Sequence, residues 1–360
     1  MNTTDISELF NLNLFVSKIY SGLLILILIS GCNRTSGPVA PNVDNMEVQP
    51  QFIWTMDDLQ TLNKNDFAQL EGIMTQYPVF FELYVRQILG LPGEISREDT
   101  TFTHAWNSYI SDSTIQLLFY KIDSVYSDQD KIEKAFLQPL KYFKYYFPEQ
   151  GIPNFYFTNT GLGIANFLFE DQDQNTAVGV GLDFFLGQSF PYALLSMTNP
   201  VFSKYMSRNF DEEHLVKQTM SAIVDDIAGM AKGSRMLDLM IHNGKKMYIL
   251  HSLLPSTPLH VLFGYSEEEM RWCKENKKEI WAYFIDEKLF YETTSKRINT
   301  YVRPAPNSKG MPTESPGETA NFMGYLIVSK FMQKHPNTDL NKLIQITDYQ
   351  YILDQSKFKP

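Results

Sequence analysis

The hydrophobic positions of the chain fall into four patterns. The first is an unbroken apolar run of about eight residues within 21–31, SGLLILILISG. It is too short to cross a bilayer as a helix and has the length of an export-signal core. The second pattern, NRTSGPVAPNVDNMEVQP at 33–50, has no period and is rich in Pro, Asn, Ser and Gly, which predicts a flexible tether. The third is helical. Residues 65–77 and 79–90 keep apolar side chains near the 3.6-residue period, with Pro78 suited to a first turn and Leu91-Pro92-Gly93 to a stop. Residues 100–124 hold one or two helices, with Trp106, Ile110, Ile115, Leu118 and Ile122 as core positions. Over 131–147, Ile132, Phe136, Leu140, Phe143 and Phe147 recur every three or four residues. The fourth is the strand pattern of the middle, at 152–158, 164–169 and 177–184, split by the acidic turn Glu170-Asp171-Gln172-Asp173. It predicts a small antiparallel sheet, with Phe52-Ile53-Trp54 a short opening strand.

Helical periodicity returns from Asn199. Asp211 suits the N-cap of a helix over 212–231, with Leu215, Ile223, Ile227 and Met230 as its apolar stripe. Gly233 interrupts before a second helix over 234–250. Ser266 and Glu269 form a capping box for a helix through Cys273, and another runs to Lys288 with Trp281 and Phe284. A Pro-rich loop at 303–317 leads to a helix at 318–334 and a closing helix begun by Thr338 or Asp339. There is no internal repeat. Helices and strands interleave without a linker. The expected fold is therefore α+β: a signal (1–31), a tether (32–50), and one mostly helical domain (51–360) with a small antiparallel or mixed sheet.

Composition narrows the function. The chain is 44% hydrophobic and 20% charged, ordinary for a globular protein. Its net charge of -10 repels phosphate backbones, so nucleic acid is not an expected partner. Cys32 and Cys273 are the only cysteines, too few for a disulfide framework. Cys273, in Arg271-Trp272-Cys273-Lys274, reads as a small buried apolar residue.

The apolar run ends in Ile29-Ser30-Gly31-Cys32, which resembles the lipobox of bacterial lipoproteins. An aliphatic residue and then two small ones let a signal peptidase grip the chain beside the thiol. Cys32 then becomes the lipid-modified N-terminus, and its acyl chains, palmitate among them, give the multi-chain anchoring that holds a protein on a membrane. The stretch before the run carries Lys18 with Asp5 and Glu8, whereas a signal opens on a short basic segment; this points to a start codon downstream of Met1. Asn33 is not the Asp that retains lipoproteins in enterobacterial inner membranes. No acidic run of the kind that marks surface export follows Cys32. The expected location is the periplasmic face of the outer membrane.

Candidate chemistry is sparse. A zinc peptidase needs two His one helical turn apart with a Glu beside the first. His104, His214, His242, His251, His260 and His335 include no pair four apart, and Glu212-Glu213-His214 has Phe at position 210, where an inverted motif needs His. Gly161-Leu162-Gly163 and Gly179-Val180-Gly181 lack a nucleotide fingerprint and read as turns and close strand packing. Ser196, Ser221 and Ser252 sit in no G-x-S-x-G context. Asp225-Asp226 reads as a solvated helix face, and Lys245-Lys246 as a C-terminal helix charge or solvated pair. Asp183, among the apolar residues of GLDFFLG, reads first as the cap of the next turn and second as a site residue. No metal and no cofactor is expected.

Several islands resemble the gliding-motility lipoprotein GldB family of Bacteroidetes. They are GVGLDFFLG at 179–187, NGKKMY at 243–248, LLP at 253–255, GYSEEEMRWCKENKKEIWAYFID at 264–286, the RPAPNS…ESPGETANFMGYLIVSKFM stretch at 303–332, and the closing LDQSKFKP. The resemblance implies a role in gliding motility and in the linked type IX secretion machinery, with protein partners in that apparatus. The family is distantly similar to zincin-type peptidases of the gluzincin kind, which carry H-E-x-x-H on one helix and a third Glu ligand on the next. The matching helices are 212–231 and 234–250. The first has no His-Glu pair, and Asn243-Gly244 stands where the pattern has Glu-Gly. An amide is a poor metal ligand beside a carboxylate. The resemblance thus implies a zincin-like pseudo-peptidase kept for binding, with Asp183, Asn243 and Lys245 as candidates for a groove and strand addition as the mode. An envelope hydrolase with an unrecognised site and a glycan-uptake lipoprotein are the alternatives. Replacing Cys32 by Ala is expected to move the protein from the membrane to the soluble fraction on cell fractionation; normal membrane retention would contradict the lipobox assignment.

Overall fold

The middle of the chain makes a four-stranded sheet whose topology follows from two connections. In the computed structural model, which describes residues 37–62, 66–197 and 199–360, the strands are β1 (Phe52–Ile53), β2 (Asn154–Thr158), β3 (Asn166–Glu170) and β4 (Thr176–Gly181), in the order β1-β2-β4-β3. The signal, with Ile29, Ser30, Gly31 and Cys32, lies outside the described residues. β3 and β4 form a tight hairpin: Asp171 Oδ1 accepts from Asp173 N at 3.0 Å and Asn175 N at 2.9 Å, and a short turn forces antiparallel pairing. The β2–β3 connection skips one strand position, and β4 returns into that gap. It therefore lies parallel to β2, as does β1. The sheet is mixed, not antiparallel throughout as the strand pattern alone had predicted.

β2 is buried along its whole length because both faces are covered. Phe155 and Phe157 point to Phe136 of helix α1 (Gln129–Tyr146), with ring centroids 4.8 and 5.9 Å away. Tyr156, on the other face, stacks on Phe80 at 5.1 Å. Phe80 belongs to the helix Pro78–Leu83 that Pro78 opens. Opposite Phe167 on the hairpin stands Gly179, and a Cβ there would lie 2.1 Å from the Phe167 ring.

The second half is a helical layer around α3 (Met236–Leu253), which is preceded by α2 (Glu212–Ala228). It continues through α4 (Ser295–Val302), α5 (Thr319–Lys334), α6 (Leu340–Gln345) and α7 (Tyr349–Ser356). α3 is buried around most of its circumference, which explains why its sequence shows little amphipathic period. It meets α5 backbone to backbone. A Cβ on Gly244 would fall 2.2 Å from the Gly324 carbonyl carbon, and one on Gly324 would fall 1.9 Å from Met240 O.

Several boundaries differ from the sequence reading. α2 stops at Ala228 because Gly229 takes φ +60°, so Met230 is 88% exposed and not part of the stripe. The closing helix is two helices, capped by Asp339 and Asp348. The presumed tether is not free along its length: Val43 is buried, Met46 and Val48 pack on the core, and Lys144 Nζ donates to Glu47 O at 3.0 Å. Three apolar side chains in a Pro/Asn-rich stretch are enough to dock it. Cys273 is fully buried, as expected of a small apolar residue. Among the described residues no helix is long and apolar enough to cross a membrane.

The glycine contact is testable. Gly324→Ala is expected to destabilise the fold by about 3 kcal/mol, since backbone cannot yield as a side chain can. Gly72→Ala, on the helix Phe67–Gln76 where a Cβ meets nothing within 4 Å, is expected to stabilise it by about 0.5–1 kcal/mol. Denaturant unfolding of the two variants checks both signs.

Candidate binding cleft

Helix α2 carries two kinds of stripe. Leu215, Thr219, Met220 and Ile223 are buried, and Thr219 Oγ1 donates to Asn166 Oδ1 of β3 at 3.0 Å. Lys217, Ser221 and Asp225, four residues apart, share another face. That face borders a cleft whose far wall is α3. Two cavities of about 400 and 230 Å³ meet there. Ser221, Asp225, Asn243 and Lys246 line the first, Lys217 and Gln218 line the second, and Met247, Pro304, Glu318 and Asn321 line both.

The floor is a chain of hydrogen bonds. Asn243 Nδ2 donates to Val302 O at 3.1 Å and to Asn321 Oδ1 at 2.8 Å, and Asn321 Nδ2 donates to Glu318 Oε1 at 2.9 Å. Glu318 is the N-cap of α5 and holds φ +60°, a strained conformation for a residue with a side chain. Its backbone N–H is tied to Thr300 O at 2.9 Å.

The charges in this cleft are unevenly matched. Lys246 pairs with Asp225 at 2.7 Å and Arg208 with Glu269 at 2.7 Å. Among the described residues the Lys217 ammonium has no hydrogen bond and no ion pair within 4.0 Å, although Glu318 lines the same cavity. Burial pushes the Lys217 pKa down, and the Glu318 and Asp225 charges pull it back. Burial pushes the Glu318 pKa up, opposed by Lys217, by the Asn321 hydrogen bond and by Lys246.

Of the three groove residues expected from sequence, only Asn243 lies here. Asp183 is buried at the end of β4. Its carboxylate accepts from Thr160 N at 3.0 Å, from Thr160 Oγ1 and from Leu162 N, so it fastens the turn before β3, where Leu162 has φ +62°. It does cap a turn, but one earlier in the chain than the next one. Burial lifts its pKa to about 6 against these donors. Lys245 is neither helix-terminal nor solvated. It is 3% exposed in mid-helix, and its ammonium donates to Leu343 O, Ile344 O and Ile346 O at 3.2, 3.0 and 3.0 Å, capping the C-terminus of α6. The two neighbours of Gly244 thus serve different walls, being two residues apart and so roughly opposite on the helix. Asp225 and Asp226 are exposed, as expected, yet Asp225 also edges the cleft. Lys217, Glu318 and Asn321 were missed. The polar i, i+4, i+8 stripe of α2 was the available signal for Lys217; Glu318 and Asn321 join only through the tertiary approach of α5.

Four of the six histidines have hydrogen-bond partners within the protein. His214 Nδ1 lies 2.7 Å from Asp211, His251 Nδ1 2.7 Å from Tyr325 OH, and His242 Nε2 3.0 Å from Gly229 O. Among the described residues no three His, Cys, Asp or Glu side chains are placed to share a metal ion.

Fold and cleft together define a cleft-bearing α+β protein built on one interleaved scaffold. A family model described as gliding motility protein GldB matches residues 36–360, and the chain belongs to that family of gliding-motility lipoproteins. No curated protein and no solved structure matches the chain.

His242 makes the site's surroundings acid-sensitive. Burial, then the Lys246 and Lys245 charges, lower its pKa from 6.5 to about 4. Its ring donates to Gly229 O and accepts from Tyr349 OH, 3.3 Å away, so it is held neutral. A histidine depressed by folding contributes its full stability above pH 6.5 and loses it as the pH falls toward 4, up to about 3 kcal/mol. Asp183, raised by folding, acts in the opposite sense but cancels in a comparison of native protein with His242→Gln. The stability gap between those two proteins is expected to narrow from pH 7 to pH 4; a gap independent of pH would contradict the neutral assignment.

Proposed function

We propose that this gliding-motility lipoprotein acts as a membrane-anchored, non-catalytic component of the cell envelope. It is held through Cys32 on the periplasmic face of the outer membrane and supports motility, and the linked type IX secretion, by binding protein partners. The observation that carries this reading is the make-up of the cleft. A zincin-type site takes two ligands one turn apart on one helix, a base beside the first, and a third ligand on the next helix. The cleft positions with that spacing are Lys217, Gln218 and Ser221 on α2 and Asn243 on α3. An ammonium offers no lone pair, and a neutral hydroxyl and an amide are weak donors, so the set does not fit zinc. The scaffold reads as zincin-like with its metal donors replaced.

The same residues give little support to a hydrolase. Ser221 Oγ donates to Lys217 O of its own helix at 2.9 Å, not to a base that would activate it. Purified native protein is expected to carry substoichiometric zinc and to leave a peptidase panel uncut. Stoichiometric zinc retained through dialysis, or chelator-sensitive turnover, would overturn the reading.

A further inference from the structure

The cleft is one end of a longer trough. A third cavity of about 580 Å³, lined by Phe190, Tyr192, Lys204 and Pro306, shares Tyr205 and Arg208 with the second. Residues 303–306 follow its length: Arg303 and Pro304 border the first cavity, Pro304 and Ala305 the second, Pro306 the third. A compact metabolite fills one chamber, whereas three in line suit an extended chain.

Four of the five side-chain amides along it share one orientation. Asn243, Gln218, Asn209 and Gln188 are spread over the three cavities, and each donates its amide NH2 to a group of the protein itself. Their carbonyl oxygens accept no hydrogen bond among the described residues. Such a row of free acceptors suits backbone N–H donors. The unmatched charges have the other sign: Lys217, partly buried, and Arg303, exposed, have no counter-ion within 4.0 Å among the described residues, in a protein of net charge -10. An unpaired ammonium in a cavity costs stability that a bound carboxylate returns. The aromatic end at Phe190 and Tyr192 accommodates an apolar side chain.

We propose that this trough holds an extended, acidic polypeptide segment of a partner protein, with one of its carboxylates seated on Lys217. The proposal rests on the non-catalytic reading only in that the bound segment is left intact.

The test uses the mature lipoprotein in detergent micelles, panned against a random dodecapeptide library, with enriched peptides then measured by fluorescence anisotropy. Enrichment of Asp and Glu is expected, with a tenfold or greater loss of affinity when the acidic residues are changed to Asn and Gln. Lys217→Ala is expected to lose as much, Lys217→Arg to retain most of the binding, and Lys278→Ala, on the exposed outer surface, to change nothing. Lys217→Ala is also expected to keep the native circular-dichroism spectrum, so that its loss of binding is not a loss of fold. Absence of any enriched binder, enrichment without acidic preference, or binding that survives Lys217→Ala would overturn the trough assignment. Peptides recovered cleaved by mass spectrometry would overturn the non-catalytic reading and leave the trough standing.

Discussion

Two glycines, Gly244 and Gly324, let α3 and α5 touch backbone to backbone, and the cleft hangs from that contact. Asn243 and Asn321 lie beside it, one residue and three residues away along the chain. Their 2.8 Å hydrogen bond exists because the helices are that close. Through Asn321 the contact fixes Glu318, and through Val302 it fixes the start of the 303–306 wall. On the opposite side of α3 the same segment sends Lys245 to cap α6. Four consecutive residues, 243–246, thereby tie together α5, α6, the Pro-rich loop and, through the Lys246–Asp225 pair, α2.

Much of the fold was legible because it rests on local rules. The Ser266–Glu269 capping box is present, with Glu269 N to Ser266 Oγ at 3.1 Å and Ser266 N to Glu269 Oε2 at 2.8 Å. The Ile132–Phe136–Leu140–Phe143 stripe is buried, with Phe136 against the sheet. What was not legible depends on long-range placement. A strand pattern carries no sign of whether β4 pairs with β2 in parallel, since that follows from where β3 lands. Lys245 and Lys246 look alike in sequence, yet one is swallowed by the α6 carbonyls and the other pairs across the cleft. Asn243 was found by motif position alone; Lys217 was passed over because a lysine on a helix usually marks solvent.

The cleft brings two locally unfavourable choices together. Glu318 sits in a left-handed conformation, the partly buried Lys217 has no hydrogen bond or ion pair within 4.0 Å among the described residues, and both line one cavity. Such locally unfavourable choices persist where a ligand or partner makes use of them. The family match places the chain among gliding-motility lipoproteins, and the cleft is the feature from which the proposed binding role is argued.

The most direct measurement is made in cells of the source bacterium, with the chromosomal copy replaced by a Lys217→Ala allele. Surface spreading is expected to fail while the variant remains at native level in the membrane fraction. Undiminished spreading by cells carrying that allele would contradict the claim that this cleft is where the protein does its work.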